Sequence, residues 1–131
     1  MGTSITNKSR VFFIAMAAYW LVFGLITALY PKLMDLFQTS AGINAKTAFS
    51  NHIWLHDGLD IIAISVLLFV LSREAVSRNA LRAAAIVAAL VTFAIAYSLL
   101  ATPYWSLLFL VPGVGCLFFA IWGFALAGKV K

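Results

Sequence analysis

With 131 residues, 64% of them apolar and only 10% charged, and a mean hydropathy of +1.04, the chain is too small for more than one domain and too oily for a water-soluble one. Its net charge of +5 and pI near 9.7 do not indicate nucleic acid, because the basic residues are not gathered on an aromatic-bearing surface; they mark membrane sidedness instead. A single cysteine, Cys116, excludes a disulfide framework or a cysteine metal site within one chain.

Residues 1–10, MGTSITNKSR, are short and polar. They carry an M-G-x-x-x-T myristoylation pattern and an Asn7-Lys8-Ser9 sequon, both brief enough to arise by coincidence. From Val11 to Tyr30 no charge occurs, and twenty residues at about 1.5 Å each cross a hydrocarbon core of about 30 Å. The run is too long for a signal-peptide core and no A-x-A site follows it, so it is expected to stay as the first helix. Pro31 ends that helix, and PKLMDLFQ sets Leu33, Met34, Leu36 and Phe37 against Lys32, Asp35 and Gln38, the pattern of a short amphipathic segment at the interface. Residues 39–50 read as a polar loop.

The second span runs over 52–71 and is followed by an arginine-bearing turn with Arg73, Arg78 and Arg82. The third, about 80–101, places Ala80, Ala84 and Ala88 on one face with Ala85 and Ala89 beside them, which predicts close helix contact. Thr102-Pro103-Tyr104-Trp105 is an uncharged reversal, and the fourth span covers about 104–127. The prediction is an all-α, four-helix transmembrane bundle with a short amphipathic interfacial segment between helices 1 and 2. Lys8, Arg10, Arg73, Arg78, Arg82, Lys129 and Lys131, seven of the nine basic residues, share one side. The positive-inside rule makes that side cytoplasmic, as in an integral protein of a bacterial inner membrane, and puts Tyr30, Trp54, Tyr104 and Trp105 in an aromatic belt at the outer interface.

The second span is the one place where ionisable groups enter an apolar run. His52, His56 and Asp60 are spaced four apart and fall within about 80° of each other on a helix, with Asp57 about 100° round from His56. An ionised carboxylate at the depth of Asp60 would cost about 2.5–3.5 kcal/mol on the insertion scale, and no Lys or Arg lies within a span to meet it. Protonation, a bond from His56, hydroxyls of Tyr19, Thr27, Thr92 or Tyr97, a bound cation, or cavity water would have to compensate. If the stripe faces the bundle interior, His56 and Asp60, with Tyr19 and Tyr97, form a ligand-binding or proton-linked site at the outer mouth of the second helix. His52, His56 and Asp60 could also hold a divalent metal, and either histidine could ligate haem or a chlorin. The alternative is that His52 and Asp57 are interfacial and solvated, while His56 and Asp60 pair with each other to fix the bundle.

Two further features bear on function. VPGVGC, Val111–Cys116, offers either a proline kink whose free carbonyls line a cavity or, with Ala120, Gly123 and Ala127, a simple packing groove. The aromatic residues Phe12, Phe13, Tyr19, Trp20 and Phe23 on the first helix, and Phe109, Phe118, Phe119 and Trp122 on the fourth, suit either a flat ligand such as a quinone or plain core and lipid contact. No G-x-S-x-G, P-loop, G-x-G-x-x-G or H-E-x-x-H motif occurs, which leaves hydrolase and nucleotide-binding functions without support.

The layout, with FGLITALYP closing the first span, an amphipathic segment, a polar lead-in to the second span and three short-looped helices, resembles the small DoxX-like four-helix membrane proteins. That resemblance implies a membrane subunit, in some members quinone-linked, and supplies no catalytic residues. The expectation is a ligand- or cofactor-binding or accessory subunit that docks on a larger membrane complex or a second copy of itself. Alternatives are a quinone-linked oxidoreductase subunit using His56 and Asp60, and a proton-coupled carrier using Asp60 and working as an oligomer.

Overall fold

The computed structural model describes residues 2–45, 48–73 and 77–130, and their side chains except for residues 2–5, 31 and 48–53. The described chain is helical nearly throughout: α1 (Gly2–Leu29), a 3-10 segment η1 (Pro31–Phe37), the one-turn α2 (Ser40–Asn44), α3 (Ala48–Leu71), α4 (Arg78–Ala101), a second 3-10 turn η2 (Leu107–Phe109) and α5 (Leu110–Ala127). Four stretches, Thr6–Leu29, Trp54–Leu71, Arg78–Ala101 and Leu107–Ala127, are long and apolar enough to cross a membrane. The predicted all-α four-helix architecture is thus met, and the chain is an integral membrane bundle. Its outer surface carries residues such as Leu100 and Leu107, 89% and 79% exposed, which only lipid can cover favourably in a monomer.

The element boundaries follow local chemistry. Pro31 stops α1 and opens η1, in line with the expected interfacial segment. The predicted loop over 39–50 instead contains α2, started by the Thr39 side chain, which accepts from the Gly42 amide at 3.3 Å. Ser77 caps α4 by accepting from Ala80 N at 3.1 Å. Pro112 falls in the first turn of α5, where its missing N–H would have had no intrahelical partner, so the kink envisaged in mid-span has no broken bond behind it.

Two helix pairs build the bundle, α1 with α3 and α4 with α5, and they join through α1 and α5. The first pair is set by small residues. A Cβ on Gly58 would lie 2.5 Å from the Ala28 nitrogen and 2.8 Å from its Cα, and one on Gly24 would lie 3.0 Å from the Gly58 carbonyl oxygen. Backbone therefore meets backbone at this crossing, and the Ser65 hydroxyl ties it further by donating to Ala17 O at 2.7 Å. In the second pair the alanine face predicted on α4 is buried at Ala84, Ala85 and Ala88 against the groove of Cys116, Ala120, Gly123 and Ala127. A Cβ on Gly123 would come within 2.9 Å of both Ala85 Cβ and Phe12 Cζ.

The interior is not uniform along the bundle. Toward the end that carries Lys8, Arg10, Arg73, Arg78, Arg82 and Lys129, hereafter the basic end, it is solid: Phe12, Phe13, Met16 and Leu81 are fully buried, and Phe12 meets Trp122 edge-to-face at 5.4 Å. There Arg10 Nε also donates to Ser72 O at 3.1 Å, linking α1 to the end of α3. The opposite end is capped. The η1–α2 connection lies across the α4–α5 turn through an antiparallel bridge between Gln38 and Trp105, with Thr39 N donating to Tyr104 O at 2.9 Å and Ser106 N to Phe37 O at 2.8 Å. Gly42 approaches the Tyr104 carbonyl too closely for any Cβ. Between this cap and the solid core the helices leave a space.

Candidate functional site: an aromatic cavity with one carboxylate

The space is a cavity of about 180 Å³. From α1 it is lined by Tyr19, Trp20, Phe23 and Thr27; from the cap by Met34, Phe37 and Phe109; from α3 by Trp54, Asp57 and Ile61; from α4 by Val91 and Ile95; and from α5 by Pro112 and Cys116. An apolar cavity of about 150 Å³ accommodates benzene, so this one has room for a single-ring compound or a comparable head group. Among the described residues α3 and α4 hardly touch, and the cavity occupies the gap between them.

Each wall has a local cause. Trp54, Asp57 and Ile61 are spaced i, i+3 and i+7, one stripe of α3 that flanks the Gly58–Ser65 contact face. Tyr19 is held by its hydroxyl, which donates to Pro112 O at 2.8 Å, and by the bare Cα of Gly115, against which the ring packs so tightly that a side chain there would displace it. Thr27 donates back to Phe23 O at 2.8 Å and touches Met34 Sδ at 3.7 Å, so it presents a methyl rather than a free hydroxyl. The cap side is an aromatic stack: Trp105 lies on Phe109 with ring centroids 4.1 Å apart and meets Trp54 edge-to-face at 5.8 Å.

The polar inventory is short. Among the described residues that line the cavity, Asp57 is the only charged one, and its carboxylate has no hydrogen-bond or ion-pair partner among the described residues. Two indole nitrogens in the walls, Trp20 Nε1 and Trp54 Nε1, are buried without a partner. An unmade bond at such a buried group costs about 1–3 kcal/mol, and neighbouring side chains do not relieve it here.

The stripe expected to face the interior does not. His56 and Asp60 pair with each other, Nδ1 to Oδ2 at 3.1 Å, and stand 77% and 66% exposed on the side of α3 turned away from α1 and from the cavity. The compensation foreseen for Asp60, a bond from His56 one turn away, is present, but the pocket that was to be built around the pair is not. Tyr97 is likewise on the outer surface, 62% exposed and stacked beside Phe93, whereas Tyr19 does line the cavity. His52 lies outside the residues whose side chains are described, and among the described residues no group of three His, Cys, Asp or Glu side chains comes together to hold a metal ion.

The aromatic residues divide between the two alternatives set out for them. Phe12, Phe13, Phe119 and Trp122 are in or against the solid core, and Tyr19, Trp20, Phe23 and Phe109 are in the cavity wall. Asp57, which the sequence placed on the flank of the histidine stripe, either as a further member of that site or as an interfacial, solvated residue, is exposed and is the one carboxylate among the described residues of that wall. A sequence signal for it existed in Gly58: a small residue marks the face on which a membrane helix meets its neighbour, and on an ideal helix Asp57 lies about 100° from it while Asp60 lies about 200° away. No family model, curated protein or solved structure matches this chain.

Proposed function

We propose that the protein is a membrane-embedded binding module that holds a small, largely apolar ligand between α3 and α4, as a DoxX-like accessory subunit of a bacterial inner membrane would. The observation that carries this reading is the cavity itself: six of its lining residues, Tyr19, Trp20, Phe23, Phe37, Trp54 and Phe109, are aromatic, and a single carboxylate stands among them. Concave apolar walls with a few polar groups are the usual form of a small-molecule site. The excess of basic residues at the other end supports an orientation with the cap and cavity in the outer half of the membrane.

A second reading, a quinone-linked subunit, draws support from the unpartnered indole N–H groups of Trp20 and Trp54, which could donate to carbonyl oxygens. Its polar partners would then be the two tryptophans and not His56 and Asp60.

The test is calorimetric titration of the purified protein in mild detergent with tert-butylbenzene and with 2,3-dimethoxy-5-methyl-1,4-benzoquinone, each corrected for the micelle alone, beside Val91→Trp, which fills the cavity. Saturable one-to-one binding of either compound that Val91→Trp abolishes is expected. No saturable binding of any cavity-sized compound, or binding indifferent to Val91→Trp, overturns the proposal.

A further inference from the structure

We infer that the ligand class is a hydrophobic cation, an aromatic or alkyl-substituted ammonium, held by Asp57 at the exposed margin of the aromatic cavity; this rests on the proposed binding function and narrows it. The argument is one of charge and ring electronics. Asp57 presents a carboxylate to the cavity with no Lys or Arg among the described lining residues. The histidine next to it in sequence, His56, turns the other way and is engaged with Asp60 at 3.1 Å. The carboxylate, exposed at the edge of the cavity, therefore makes no hydrogen bond or ion pair with its own chain among the described residues, and a cation supplied with the ligand would meet it.

The aromatic rings of the wall, apart from the N–H donors of Trp20 and Trp54, point the same way. Trp54 sits one turn before Asp57 on the same stripe, and Tyr19, Trp20, Phe23, Phe37 and Phe109 are the other aromatic side chains that line the cavity. Aromatic faces carry negative charge density and attract alkylated ammonium groups within about 6 Å of the ring, most strongly where water is excluded. The carboxylate, unlike the Trp20 and Trp54 N–H groups, is repelled by the electron-rich oxygens of a quinone. The cavity of about 180 Å³ matches a one-ring compound with a compact cationic head, and the α3–α4 gap lets a longer apolar tail reach lipid.

The decisive experiment compares two probes of the same shape that differ only in charge, phenyltrimethylammonium and tert-butylbenzene, titrated into the full-length protein in neutral mild detergent. The cation is expected to bind about tenfold more tightly than its neutral isostere, since one decade lies between the gains of exposed and desolvated cation–aromatic contacts. Asp57→Asn is expected to remove that preference while leaving tert-butylbenzene binding intact, which also shows the variant to be folded. Asp60→Asn, on the outer surface, should leave both affinities unchanged. Equal binding of the two probes, or a cation preference that survives Asp57→Asn, overturns the inference. If tert-butylbenzene or the benzoquinone binds and the cation does not, the binding function stands and the cationic class falls; if none of the three binds, both fall together.

Discussion

At the scale of single residues, the carboxylates of α3 have opposite fates although they lie three positions apart. Asp60 spends its charge on His56 at the surface, while Asp57 faces a cavity with no counter-charge among the described lining residues. The His56–Asp60 pair lies within the apolar span Trp54–Leu71, where water is scarce and removal of one partner leaves the other exposed to lipid. His56→Leu alone is therefore expected to lower stability by about 1–3 kcal/mol, the cost of an unmade bond at a desolvated polar group, and His56→Leu with Asp60→Leu to restore most of the loss. Denaturation of the single and double variants in lipid–detergent mixtures checks this. Equal stability of His56→Leu and wild type would mean that headgroup water reaches the pair. Neither substitution should alter binding in the cavity, since both side chains point away from it.

At the scale of elements, the rotation of α3 about its own axis decides which of these groups looks inward. That rotation is set by the backbone contact of Gly58 with Gly24 and Ala28 and by the Ser65–Ala17 hydrogen bond, two turns apart on one face. Gly58→Ala places a methyl 2.5–2.8 Å from Ala28 backbone atoms, which cannot swing aside as a side-chain end can. The helices must separate, at about 1–3 kcal/mol for an overpacked site, and the Trp54–Asp57–Ile61 stripe shifts with them. The expected outcome is a lower melting midpoint together with weakened probe binding. Unchanged stability would show that α3 is free to slide on α1. By comparison Ser65→Ala, which removes a single interhelical bond, should cost only about 0.6 kcal/mol.

The capped end extends the same logic across the chain. Two irregular segments that would otherwise expose backbone groups, η1–α2 and the α4–α5 turn, satisfy each other through the Gln38–Trp105 bridge and the Thr39 and Ser106 amides. The bridge also fixes Phe37 and Phe109 over the cavity, 6.3 Å apart between ring centroids, so the roof of the site comes from segments far apart in sequence.

For the whole molecule, the asymmetry of charge and of packing run together: the basic end is solid, and the end with the cap holds the cavity. The proposed orientation makes a direct prediction. In a background with Cys116→Ala, a cysteine at Ser77 should react with a membrane-impermeant maleimide only after the membrane is opened, and one at Lys32 should react in intact cells. The reverse pattern would invert the bundle and place the cavity in the cytoplasmic half.

The amino-acid sequence by itself determined the number and approximate extent of the spans, the interfacial segment after Pro31, the clustering of basic residues at one end, and the small-residue faces of α4 and α5, though not that they meet each other. Each depends on properties a residue keeps whatever surrounds it: hydropathy summed over a turn or more, the missing amide of proline, the size of alanine and glycine. Only the tertiary structure decided that Asp57 and not Asp60 lines the cavity, that Tyr19 lines it too while Tyr97 faces out, and that of the two readings of Val111–Cys116, kink or packing groove, the groove is the one formed, with Pro112 in the first turn of α5. In a membrane helix nearly every face is apolar, so hydrophobic periodicity does not say which side turns inward, and that choice waits on where one backbone can come close enough to touch another.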